Sequence, residues 1–194
     1  FWSSRLRDDF AGSNQRQWGE LLRQARYIGV RDAETFSALS ALGVPGVKII
    51  GDPALALGDD RWVRARGGRH PNDRLKIGIN LGSHDPIWGD QTSLRGALGS
   101  FVTRSAARGH SVTFIPLSRL DQREGRSLAE AVAPGEISFP AGPSSPDASV
   151  ACILNQDLII TQRLHAAVLS CAFGSPTISL AYNPKCLAFM ESMG

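Results

Sequence analysis

The stretch TQRLHAAVLSCAFGSPTISLAYNPK, residues 161–185, concentrates side chains that could do chemistry. Arg163 and His165 fall where an apolar helix begins, and Lys185 falls just after Asn-Pro, where another begins. The first backbone N–H groups of a helix are unpaired and its dipole is positive there, so an anion is welcome. The same positive end favours a neutral imidazole, which can act as a base or a hydrogen-bond donor. A cation at such an end is unfavourable unless it meets an anion, and Arg163 and Lys185 both occupy that position. Residues at i and i+2 do not share a helix face, but at the mouth both Arg163 and His165 can turn toward one ligand. A packed, hydrogen-bonded His165 and solvated surface cations remain the alternative on these residues alone.

The elements that must position this group alternate between strand and helix. Helix periodicity and capping signals mark 13–26, AETFSALSALG, DQTSLRGALGSFVTRSAARG, LDQREGRSLAEAVA, SPDASVACILNQ, QRLHAAVLSCAFG and PKCLAFMESMG. YIGVRD, VKIIGDPAL (a buried strand), LKIGINLG, HSVTFIPLS, EISFP, DLIIT and SPTISLAY read as strands. Short loops between alternating elements predict an α/β fold with a doubly wound parallel sheet. Residues 1–58 are expected to end a first α/β domain. The polar, Gly- and Arg-rich residues 59–74 would be a linker, and 75–194 a Rossmann-like second domain. PAGPSSP, 140–146, reads as a loop.

Ligands of such sheets bind beyond the carboxyl ends of the strands. Arg31, Asp52, Asn80, Arg163 with His165, and Lys185 all follow strands. Asp32 is the natural N-cap of the helix after it, with Glu34 in the first turn. Arg31 could pair with Asp32 or reach a ligand. GINLG lacks the GxGxxG pattern, and no GxSxG, HExxH or Walker A motif is present.

Composition narrows the classes further. The 194 residues are 42% hydrophobic, enough for a real core. No apolar run approaches the roughly twenty residues of a membrane span. The charged start FWSSRLRDDF is unlike a signal peptide, and the chain is expected to be a segment of a longer protein. Net charge is +3, carried by 18 Arg and 3 Lys. Guanidinium forks suit carboxylates and phosphates, although a general coding preference for Arg explains many of them. RWVRARGGRH, 61–70, is the nearest approach to a nucleic-acid-binding run and reads as a solvated connection, so nucleic acid is excluded. Cys152, Cys171 and Cys186 form no CxxC and read as free thiols of a reducing compartment. His70, His84 and His110 have no metal-ligand spacing with them, so no metal is expected.

VRDAET, then GDPAL, then DLIITQRLHAAVLSCAFGSPTISLAYNPKCLAFMESMG resembles the polysaccharide pyruvyl transferases. RLHA, the small-residue-Pro strand entry and YxPK follow that family's order over residues 30–194. The resemblance implies a two-domain fold similar to GT-B glycosyltransferases, with the site in the cleft. It implies transfer of pyruvate from phosphoenolpyruvate to two hydroxyls of one sugar, giving a cyclic ketal and phosphate, in exopolysaccharide or cell-wall synthesis. His165 would be the acid/base or phosphate-contacting group. Arg163 and the Leu164 backbone would line the donor, Arg31 and Lys185 would bind its anionic groups, and Asn80 and Tyr182 are placed by position on the acceptor side. The partners implied are phosphoenolpyruvate as donor and a free or lipid-linked sugar acceptor, with no cofactor. The location would be cytoplasmic, with peripheral contact at the inner membrane face left open. A nucleotide-sugar glycosyltransferase or a non-catalytic glycan-binding module is the alternative for the same helix mouths.

Overall fold

A computed structural model describes residues 13–58, 74–87, 89–139 and 146–193. The expected linker and the loop at 140–146 lie almost wholly outside these residues. The chain divides into two compact units, Phe1–Pro53 and Ala54–Gly194.

The first unit contains α1 (Ser13–Arg23), β1 (Ile28–Val30), α2 (Ala33–Ala41) and β2 (Val47–Ile49). β1 and β2 pair in parallel, Ile28 opposite Val47 and Val30 opposite Ile49. Val30, Leu39 and Val44 form a small core with Leu22, Ile28, Leu42 and Val47 against it. Asp32 caps α2 as expected, accepting from the Thr35 N–H at 2.8 Å. β2 was expected to be buried, but Lys48 and Ile49 are exposed. Lys48 and Ile49 are successive residues and point to opposite faces, so neither face of β2 is fully covered by the described residues.

The second unit contains β3 (Lys76–Asn80), α3 (Gln91–Ala107), β4 (Ser111–Phe114), α4 (Asp121–Glu130), α5 (Pro146–Leu154), β5 (Leu158–Thr161), α6 (Leu164–Ala172), β6 (Thr177–Ser179) and α7 (Pro184–Ser192). The four strands are parallel in the order β4-β3-β5-β6. Successive strand residues face opposite sides, so Ile160 joins Ile77, Ile79, Val112 and Phe114 under α3 and α4. Its neighbour Ile159 packs with Ile115, Ile153 and Phe173. Each fully buried Ile or Phe of this kind contributes about 1.5–3 kcal/mol. α4 lies so close to the sheet that a Cβ at Gly125 would sit 2.5 Å from the Phe114 ring.

Capping explains where the helices start and stop. Asp90 accepts from the Ser93 N–H and hydroxyl, both at 2.8 Å, and these bonds hold its carboxyl below the ordinary value. Gly109 ends α3 with φ +79°, a conformation costly for any side chain.

Two boundaries differ from expectation. Residues 54–58 were expected to close the first domain. Instead Pro53–Leu57 is a 3-10 turn, and Ala54 and Leu55 pack against Leu164, Val168 and Phe189 of the second unit. Gly58 lies so near α6 that a Cβ there would be 2.1 Å from the Ala172 carbonyl oxygen. EISFP forms a single bridge, Thr113 to Ser138, rather than a strand. Proline, the last residue of that segment, has no N–H to extend the ladder.

Candidate functional site

The chain leaves β3 toward β4 on one side and leaves β5 toward β6 on the other. The crossovers therefore diverge between β3 and β5, and a crevice opens beyond their carboxyl ends. The loop after β3, residues 81–90, and the turn after β5, residues 162–163, border it.

Beneath that crevice lies a buried polar network. Asn80, at the end of β3, donates to the Ile115 carbonyl at 2.9 Å and to Asp121 at 3.3 Å. Its side-chain oxygen accepts from Thr161 Oγ1 at 3.0 Å and from the Arg163 N–H at 3.3 Å. Asn80 is 1% exposed. Its amide is spent inside the protein because β3 is a central strand. Placed so, Asn80 braces the residues around the crevice from below.

Asp121, fully buried in the first turn of α4, accepts from the Leu117 N–H at 3.0 Å and the Ser118 hydroxyl at 2.8 Å. Arg163 Nε donates to its two oxygens at 3.0 and 3.1 Å, and Arg163 Nη2 bonds it as well. So the cation at the mouth of α6 does meet an anion, but the anion is the protein's own carboxylate. The guanidinium is aimed rather than free.

Gln162, also buried, shapes the facing loop. Its Oε1 accepts from the Gly82 N–H at 2.8 Å, and its Nε2 donates to the His84 carbonyl and to Gln91 Oε1. Gln91 in turn donates to the Gly82 carbonyl at 2.8 Å.

Above this base the α6 mouth is open. Arg163 is the N-cap residue, and no side chain caps the helix. The N–H groups of Ala166 and Ala167 reach the Arg163 carbonyl, whereas those of Leu164 and His165 have no partner among the described residues. Leu164 buries its side chain in the core, so only its backbone can meet a ligand. His165 is exposed and without a hydrogen-bond partner among the described residues, so it is not a packed core histidine.

α7 starts differently. Asn183 caps it, accepting from the Lys185 N–H at 3.1 Å, with Pro184 in the first turn. The positive end of α7 is thus partly satisfied, and what Lys185 offers is its ammonium. Lys185 Nζ lies 5.5 Å from the centre of the Tyr182 ring, within cation–π range.

Tyr182 links two loops. Its ring stacks on His84, centres 5.0 Å apart and planes 13° from parallel. The Ile87 N–H donates to the Ala181 carbonyl at 2.9 Å beside it. His84 is the residue that sequence reasoning passed over, weighing it only as a zinc ligand. Its signal was present: it follows Gly82 in the loop after β3, the strand that borders the divergence.

Arg31 lies in the first unit. It pairs there with Asp32 at 3.5 Å and Asp52 at 3.7 Å. Burial pushes the Asp32 carboxyl up, but hydrogen bonds from the Thr35 hydroxyl and N–H, with the Arg31 charge, outweigh it and hold Asp32 below its ordinary value.

A sequence profile of the polysaccharide pyruvyl transferases matches residues 8–184. The chain belongs to the polysaccharide pyruvyl transferase family. Within this family member, Arg31, Asn80, Arg163, His165 and Tyr182 fall inside the matched range, and Lys185 is the first residue beyond it. No curated protein matches the chain.

Among solved structures, the family member is similar to the UDP-GlcNAc 2-epimerase of Methanocaldococcus jannaschii in complex with UDP-GlcNAc and UDP. The TM-score is 0.54 at 13% identity, covering 84% of this chain and 48% of that one. It is likewise similar to the UDP-GlcNAc 2-epimerase of Neisseria meningitidis bound to UDP-GlcNAc. There the TM-score is 0.55 at 13% identity, covering 97% of this chain and 53% of that one. The chain spans about half the length of these structures. The likeness, with the parallel sheets, places this pyruvyl transferase family member in the GT-B-like α/β fold class. Among the described residues, no group of three or more His, Cys, Asp or Glu could hold a metal, and no helix is long and apolar enough to cross a membrane.

Proposed function

We propose that this family member transfers pyruvate from phosphoenolpyruvate to two hydroxyls of one sugar of a polysaccharide or its lipid-linked precursor. The product is a pyruvate ketal, and phosphate is released. The observation that carries this reading is the uncapped mouth of α6, with an exposed His165, inside the region matched by the family. An uncapped helix end with free N–H groups is a seat for a phosphate or carboxylate.

The chemistry fits that seat. The Leu164 and His165 N–H groups would receive one anionic group of the donor, and the Lys185 ammonium would receive the other. Carbon 3 of the enol must gain a proton and phosphate must depart from carbon 2. An imidazole is the side chain suited to giving or taking a proton near neutrality. The Arg163 guanidinium, held by Asp121, would present its remaining N–H edge without having to be ordered on binding. Tyr182 would face the acceptor sugar. No cofactor is required, and a cytoplasmic setting, where phosphoenolpyruvate is made, suits three free cysteines.

The test is phosphate release by the protein in its full natural length, screened over free and lipid-linked sugars. Release that needs both phosphoenolpyruvate and a sugar supports the proposal. Saturable UDP- or CMP-sugar binding with no phosphoenolpyruvate binding would overturn it in favour of a glycosyltransferase. Glycan binding that survives His165→Ala and Lys185→Ala unchanged, with no release, would point to a non-catalytic module.

A further inference from the structure

We infer that His84 is a second proton-transfer residue of this site and takes the proton of an attacking sugar hydroxyl. This rests on the proposed pyruvyl transfer.

The stoichiometry of that transfer calls for two proton hand-offs. Phosphoenolpyruvate and a sugar diol become a ketal and hydrogen phosphate. Two O–H bonds break and two C–O bonds form at carbon 2. One proton ends on carbon 3, making the methyl group, and the other leaves with phosphate as its C–O bond breaks. Each hydroxyl needs a base as it attacks, and each proton then needs a route to its destination. A group seated at the phosphate end serves the donor. A second group facing the acceptor separates the two tasks in space.

His84 has the features of that second group. It belongs to the loop after β3, on the side of the crevice opposite the α6 mouth. Its imidazole is exposed, so it can meet a ligand, yet it is held in place from two directions. The ring stacks on Tyr182 at 5.0 Å. Its backbone carbonyl accepts from the buried Gln162, the residue immediately before Arg163. Gln162 also fixes the Gly82 N–H of the same loop. One side chain therefore ties the position of His84 to the start of the α6 mouth.

The stack has a further consequence. Tyr182 has Lys185 Nζ 5.5 Å from its ring centre, so the His84 ring and the Lys185 ammonium share one aromatic neighbour. A sugar placed against His84 would lie beside the cation that holds the donor. Proximity of this kind converts a two-body attack into a local one. An ordinary surface histidine would have neither the stack nor the buried tether.

The experiment compares His84→Gln and His84→Ala with the wild type in the protein of full natural length. Phosphate release is measured against acceptor concentration at saturating phosphoenolpyruvate, and donor binding is measured separately by calorimetric titration with phosphoenolpyruvate. His84→Gln is expected to lower kcat about 100-fold or more while donor affinity stays within about twofold. Added imidazole should restore part of the activity of His84→Ala, which no structural role would allow. Near wild-type kcat in both His84 variants would overturn the inference and leave the proposed function standing. A parallel loss of donor binding, unrescued by imidazole, would overturn it too, by showing that His84 only shapes the loop. A wild type that binds phosphoenolpyruvate but never releases phosphate with any sugar would instead overturn the transfer reaction, and this inference with it.

Discussion

Asp121 and Arg163, 42 positions apart, form a forked ion pair at the base of the crevice, with Arg163 Nε 3.0 and 3.1 Å from the two carboxylate oxygens. Asp121 is fully buried, while the Arg163 side chain is 28% exposed. Removing one member leaves the other charge without its partner. Asp121→Ala is expected to cost about 3–5 kcal/mol in urea unfolding. The cycle Asp121→Asn, Arg163→Gln and the double variant should show strong coupling, with the double variant more stable than the sum of the singles. Additive losses would mean that the pair does not act as a unit.

His165 should behave in the opposite way. It is exposed and makes no hydrogen bond among the described residues. His165→Ala should change stability by less than about 0.5 kcal/mol. Turnover should fall about 100- to 10,000-fold. Thermal unfolding and phosphate release measured on one preparation separate the two effects. Unchanged turnover would remove His165 from the chemistry.

Asn80 makes a test of position against contact. Asn80→Ala takes the amide donor from the Ile115 carbonyl and from Asp121, while the Thr161 hydroxyl and the Arg163 N–H keep their bonds within the Thr161–Arg163 turn, and it is expected to cost about 1–3 kcal/mol. Asn80→Asp is expected to be worse near neutrality, because it sets a second buried carboxyl beside Asp121 and one of the pair must then hold a proton. A group whose folded pKa is raised stabilises at low pH and loses that contribution as pH rises. The deficit of Asn80→Asp should therefore grow above about pH 4, measured by chemical unfolding from pH 3 to pH 8. A variant that changed only the Michaelis constant for the sugar, at full stability, would put Asn80 on the acceptor side.

Asp32 carries the reverse pH sign. Its folded pKa is lowered by Thr35 and Arg31 despite its burial. Its stabilisation is present above the unfolded value of about 3.9 and is lost as pH falls through the lower folded value. Asp32→Ala should cost about 1 kcal/mol near neutrality. The gap to wild type should close below about pH 4 in acid unfolding.

Lys185 and the packing of α4 give one further expectation. Gly125→Ala drives a methyl group into Phe114, a ring with no room to withdraw, and should cost about 1–3 kcal/mol without touching donor binding. Lys185→Met should do the reverse, weakening phosphoenolpyruvate binding in calorimetry at unchanged stability.

Much of the fold was legible in local signals. Asp32, Asp90 and Asn183 are side chains that satisfy helix N–H groups within three residues, so their positions announce helix starts. Apolar runs such as KIGI and LIIT announce central parallel strands because both faces of such strands are buried. EISFP failed as a strand, and VKII is exposed at its end, because pairing and covering depend on what lies alongside. Neighbouring residues in the chain do not report that.

The sequence by itself determined the alternation of strands and helices, the family, and the placing of Arg163, His165 and Lys185 at helix mouths. These follow from short-range chemistry: periodicity, caps and the order of motifs. Only the tertiary structure decided what each residue is free to do. It gave Arg163 an internal partner, spent the Asn80 amide, left His165 bare and brought His84 onto Tyr182, nearly a hundred positions away. The physical reason is that hydrogen-bond capacity is finite and burial is a property of the whole sheet, so availability for a ligand is settled by contacts distant in the chain.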